Sequence, residues 1–73
     1  MSEFLIDLGV RIKRAREDAH MEQIELAEAL STSRDSISHW EHGDRNVTVY
    51  TLAKIAQATN RPVWMLMPDL EDD

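Results

Sequence analysis

The side chains whose types and spacing could combine to do chemistry stand within residues 33–45. Asp35, Ser36 and His39 supply the three residue types of a hydrolytic triad, but their spacing puts all three on one short helix, with no oxyanion donors around them. A chain of 73 residues organises one domain and leaves no body of protein to wall a deep pocket. His39 and His42, three apart, can both reach one metal ion, yet no third ligand stands near them and two imidazoles alone make a weak site. No catalytic residue, metal or cofactor is therefore expected. The chemistry that stays is hydrogen bonding: Arg34 offers a planar fork of donors, Asp35 two acceptor oxygens, and Ser36, Ser38 and His39 both kinds of group.

Hydrophobic residues make up 42% of the chain and charged residues 30%, the balance of a folded domain rather than a disordered one. There is no cysteine, so neither a disulfide nor a thiolate metal site can staple so small a core, and a second subunit is the expected reinforcement. Glu3 and Asp7 stand where a signal peptide would carry bases, and no apolar stretch approaches the roughly 18 residues needed to cross a bilayer, which leads to a cytoplasmic expectation. The formal net charge of -6 counts against a polyanionic partner. However, Asp69, Glu71, Asp72 and Asp73 crowd positions 69–73, and without them ten acids face eight bases. The bases are also clustered, with Arg11, Lys13, Arg14 and Arg16 in one helical stretch and Arg34 and Arg45 bracketing the middle of the chain. The expected organisation is one domain over residues 1–68 and an acidic, disordered tail over 69–73 that could meet a basic protein.

Nothing alternates with period two, so strands are not expected. Leu5, Leu8, Ile12, Ala15 and Ala19 step by three and four and predict an amphipathic helix over residues 3–19. Gly9 inside it costs about 1 kcal/mol relative to Ala, which is tolerable where another backbone comes close. Ile24, Leu26, Ala27 and Leu30 predict a second helix over residues 23–30, broken by Ser31, Thr32 and Ser33. Ser33 caps a third, with Asp35 at its positive end, Ile37 and Trp40 on its buried edge, and Gly43 as its stop. Thr48 caps a fourth, with Val49, Leu52, Ala53 and Ala56 on one side and Asn60 in the left-handed conformation at its end. Pro62 opens a fifth whose Val63, Trp64, Met65, Leu66 and Met67 are apolar on every face; such a helix is either wrapped by its own chain or pressed against a partner, and the small size of the domain favours the partner.

Two short helices joined by a three-residue polar turn, residues 23–40, form a helix-turn-helix skeleton. Leu26, Leu30, Ile37 and Trp40 close the core beneath the crossing, and Arg34, Asp35, Ser38 and His39 are left on the open face. A short helix that is polar outside and anchored below fits a major groove about 12 Å wide.

On these residues, together with Gly9, Arg11, Ile12 and Arg16, Gln23, Glu25 and Ala27, Glu41 and Gly43, and Arg45, Asn46, Leu52, Ile55, Ala56 and Ala58, residues 8–67 resemble the lambda-repressor and Cro type of helix-turn-helix domain, also called the xenobiotic-response-element family. The resemblance implies an all-α, compact five-helix bundle that binds double-stranded operator DNA as a homodimer and regulates transcription. It implies base reading by Arg34, Asp35, Ser38 and His39, and phosphate contacts from Gln23, Ser36, Arg45 and Asn46. Dimerisation is assigned to Val63, Trp64, Met65 and Met67. Glu41 is expected to pair with Arg11 or Arg16, Asp35 to hold Arg34 or His39 if it does not read cytosine, and Lys13 and Arg14 to form a solvated face. Ser31 stands where the family usually has glycine, Asp44 where a base is common, and Glu22 where Ser or Thr often caps. The competing reading is a protein-interaction module, such as an antitoxin or anti-repressor, favoured by the acidic charge.

Overall fold

A computed structural model describes residues 2–70, so Glu71, Asp72 and Asp73 of the expected tail lie outside the described residues. Four α-helices follow one another, α1 (Glu3–Asp18), α2 (Gln23–Leu30), α3 (Arg34–His42) and α4 (Val49–Ala58), and a 3-10 turn spans Val63–Met65. No strand occurs among the described residues. Among the same residues no helix is long and apolar enough to cross a membrane.

Each helix start carries a polar partner for backbone N–H groups that have no carbonyl of their own helix to bond. Ser2 Oγ accepts from Leu5 N–H at 3.3 Å, Ser33 Oγ from Ser36 N–H at 3.1 Å, and Thr48 Oγ1 from Thr51 N–H at 3.0 Å. At α2, where the usual Ser or Thr is replaced by Glu22, Glu25 Oε1 reaches back to accept from Glu22 N–H at 2.7 Å.

The helix ends repeat one device. Just past each helix a residue takes left-handed φ: His20 (58°), Ser31 (57°), Gly43 (76°) and Asn60 (57°). The next N–H then reaches back five residues, Met21 to Arg16, Thr32 to Ala27, Asp44 to His39 and Arg61 to Ala56. This is the Schellman closure, and it reverses the chain within two residues so that helices of eight to ten residues can pack on one another.

α1 packs on α3, and α2 packs on both α3 and α4; the 3-10 turn closes against α4. Between them lies a core of Leu8, Ile12, Leu26, Ile37, Leu52, Ile55 and Leu66, with Ala15, Ala27 and Ala56 where helices come close. Gly9 makes the α1–α3 approach possible. A Cβ built on it would lie 2.6 Å from Trp40 O and nearer still to Glu41 O, both backbone atoms with no room to give.

Three details depart from the expected elements. The fifth helix is a single 3-10 turn closed by Met65 N–H to Pro62 O and Leu66 N–H to Val63 O, at 3.1 and 2.9 Å. Only five residues separate Pro62 from Pro68, and proline disfavours the helical conformation just before it, so no α-helix propagates. Ile24 is 50% exposed. It lies roughly 200° round α2 from Leu26, away from the stripe of Leu26, Ala27 and Leu30. Val49 is 73% exposed because helical side chains lean toward the N-terminus, which carries a first-turn residue beyond the packed surface.

Two substitutions test this scaffold in urea denaturation. Gly9→Ala should cost about 2–3 kcal/mol, since neither helix can retreat without opening the core. Ser31→Gly should add about 1 kcal/mol by relieving a left-handed residue that bears a Cβ, with Tm rising by about 4–8 °C.

Candidate nucleic-acid interface

The polar face identified in the sequence is held from behind by one buried ion pair. Arg16, in the last turn of α1, donates from Nε to Glu41 Oε2 at 2.7 Å and from Nη2 to Glu41 Oε1 at 3.1 Å; its Nη1 donates to Met21 O at 2.8 Å. Both side chains are buried. Of the two partners the sequence allowed for Glu41, Arg16 is the one used; Arg11 instead pairs with Asp7, four residues earlier. Hydrogen bonding to Glu41 raises the Arg16 pKa above its ordinary value, with burial working in the opposite direction and the Glu41 charge reinforcing the rise. A raised basic pKa contributes stability below the ordinary value and loses it only as pH climbs beyond, so no titration of Arg16 intervenes near neutral pH.

Glu41 also accepts from Gln23 Nε2 at 3.0 Å. Gln23, the first residue of α2, is therefore aimed by α3, with its amide oxygen and second N–H still available to a ligand. Beside it a shallow concavity is lined by Lys13, Arg16, Gln23 and Arg34 together with Glu17, Glu22 and Ile24. Lys13, expected on a solvated face, is thus grouped with Gln23 and Arg34. Its signal in the sequence was its position three residues before Arg16 on α1, which only the α1–α3 contact turns into proximity to the second and third helices.

Along α3 the buried edge is Ile37 and Glu41. Arg34 and Asp35, at the N-terminal end, are exposed and take part in no ion pair among the described residues. Ser36 and Ser38 are half-buried. Ser36 Oγ lies 3.1 Å from Ser33 Oγ, so this hydroxyl is shared with the cap. His39 Nδ1 lies 3.0 Å from Asp44 Oδ1. Asp44, and not Asp35, is therefore the carboxylate that holds His39. His42 Nδ1 lies 2.7 Å from Ser38 O and must donate to it. Arg45 and Asn46 are exposed on the non-helical segment that follows α3.

The four residues assigned to a partner surface all reach solvent. Trp64 is 73% exposed, and Val63, Met65 and Met67 are each more than a third exposed, while Leu66 turns into the core.

A family profile described as helix-turn-helix matches residues 12–63. The HTH-type transcriptional regulator DicA of Escherichia coli (strain K12) is 36% identical over 67 residues, covering 88% of this chain and 48% of DicA. The ImmF control region 10 kDa protein of Bacillus phage phi105 is 40% identical over 53 residues, covering 73% of this chain and 59% of that protein. The chain thus spans about half the length of the sequence relatives it matches. Among solved structures, the restriction-modification controller protein C.AhdI from Aeromonas hydrophila superposes with a TM-score of 0.82 at 27% identity, covering 86% of this chain and 96% of that one.

Removing one member of the buried pair should be far worse than removing both. Glu41→Ala is expected to cost about 3–5 kcal/mol in chemical denaturation, and Arg16→Met combined with Glu41→Leu to recover most of that loss.

Proposed function

The chain belongs to the lambda-repressor/Cro-type helix-turn-helix family, and from that premise we propose that it binds double-stranded DNA sequence-specifically and regulates transcription, as a dimer on a two-fold operator. The carrying observation is the asymmetry of α3, with Ile37 and Glu41 buried along one edge, Asp35 turned away from that edge and Arg34 exposed at the N-terminal end. A helix so held can be presented to a major groove without losing its own packing.

In this reading Arg34 donates its fork to guanine O6 and N7, and Asp35 accepts from cytosine N4. Ser38 and His39 complete the base contacts one turn further on. Gln23, aimed by Glu41, donates to a phosphate, with Lys13 and Ser36 nearby and Arg45 and Asn46 clamping the backbone on the other side. Val63, Trp64, Met65 and Met67 meet their counterparts across the two-fold axis. A dimer doubles contacts that one acidic protomer makes only sparsely, which suits a chain whose net charge is -6. The same charge favours a second reading, a protein-interaction module of the antitoxin or anti-repressor kind whose acidic residues meet a basic partner.

Selection from a random duplex library at about 100 mM salt, then anisotropy titration of the winner, tests the reading. A palindromic winner is expected, with a slope of log K against log salt of roughly -4 to -7 from two to four ionic phosphate contacts per protomer. A slope near zero, or no enrichment with purified dimer present, would sink it in favour of the protein-interaction module. Arg34→Ala should weaken binding to the winner by about 1–3 kcal/mol and relax preference at one position per half-site, leaving the fold intact.

A further inference from the structure

We infer that Asp44 is a positioning residue that decides which base His39 reads, an inference that rests on the DNA-binding reading above. A carboxylate only accepts hydrogen bonds, so with His39 Nδ1 at 3.0 Å from Asp44 Oδ1 a neutral imidazole carries its proton on Nδ1. The other ring nitrogen, Nε2, then holds a lone pair and can only accept. The contact is built into the end of α3. Gly43, at φ 76°, turns the chain back so that Asp44 N–H donates to His39 O at 3.3 Å, and backbone and side chain of Asp44 both fasten to the same residue. Another residue type at Gly43 would be strained at that φ and would collide with the Ile6 backbone, so the turn cannot readily be rebuilt.

Both side chains of the pair are 43% exposed, which leaves part of the ring open to a ligand. Asp35 stands one turn earlier on α3, and His42, three residues later, has its own Nδ1 taken by Ser38 O. Neither takes the Nδ1 position from Asp44. In the major groove the donors that match an acceptor-only Nε2 are adenine N6 and cytosine N4, whereas guanine O6 and N7 and thymine O4 present lone pairs against a lone pair. Asp44 thereby makes His39 select an amine-bearing base without touching DNA itself.

The test uses the whole chain at pH 8.5, above the ordinary imidazole range, in two measurements. Long-range 15N–1H NMR of the free protein reads the tautomer, with Nδ1–H expected for His39 in the wild type. In Asp44→Lys, where the ammonium can only donate to Nδ1, Nε2–H is expected. Anisotropy titrations then run each half-site position of the selected duplex through all four base pairs. One position should favour adenine or cytosine on the strand His39 faces, by roughly three- to tenfold. Asp44→Lys should reverse that preference toward guanine or thymine, on top of a general tightening from the added positive charge, and His39→Ala should abolish both the preference and its reversal. An Nε2–H tautomer in the wild type would overturn the inference, as would a preference that ignores Asp44→Lys or survives His39→Ala. Absence of binding to every duplex would instead bring down the DNA-binding reading itself, and the inference with it, while the NMR result would still report whether Asp44 sets the tautomer.

Discussion

A guanidinium and a carboxylate taken out of water must satisfy one another, because each left alone would bear a desolvation cost of several kcal/mol. Arg16 and Glu41 meet that condition with two hydrogen bonds between them, a third from Arg16 to Met21 O and a fourth to Glu41 from Gln23. Those four bonds join α1, the turn after it, the first residue of α2 and the last turn of α3. An apolar pair of the same volume would hold the helices together as well, but it would not fix how Gln23 is aimed. The ionic network therefore does more than pack: it sets the register between the helix that carries the polar face and the amide beside it. Gly9 is the other half of this arrangement, since only a residue without Cβ lets α3 come close enough to α1 for the pair to be enclosed.

Short helices present a second constraint. Segments of eight to ten residues are unstable in isolation, and here they persist because each is closed at both ends and buried on one edge. Left-handed residues after all four helices supply the reversals, although glycine occupies only one of the four positions. His20, Ser31 and Asn60 carry the cost of a Cβ there, and the Schellman hydrogen bonds together with the core above them offset it. The turn after α3 carries an added role, because it is also what brings Asp44 onto His39.

Charge shows why totals mislead. The acid surplus comes largely from residues 69–73, while the surface around Gln23 gathers Lys13 and Arg34, with Arg45 just beyond α3. Acids are nevertheless woven through that face: Asp35, Asp44, Glu17 and Glu22. A surface of this kind binds a polyanion weakly through charge alone and gains more from specific donors and acceptors, and from a second copy, than from general attraction.

The four α-helices, the caps at Ser33 and Thr48 and the exposed edge of α3 were legible from the residues alone, since helix formation is governed by neighbours three and four apart and by the capping residue next door. So were the left-handed Asn60 and the close approach at Gly9, which follow from local backbone chemistry. Other features required the packed chain. Choosing Arg16 over Arg11 as the partner of Glu41 depends on which face of α1 turns toward α3, and Val49 looks apolar in sequence yet faces solvent because the first turn of α4 reaches beyond the packed surface. Lys13 joins Gln23 and Arg34 only through the crossing of α1 over the helix-turn-helix. His39 takes Asp44 and not Asp35 because the left-handed Gly43 folds the chain back over the end of α3. Local sequence determined what each segment is; which groups meet was decided by the angles at which short helices cross, and those angles come from burying all the apolar stripes in one core.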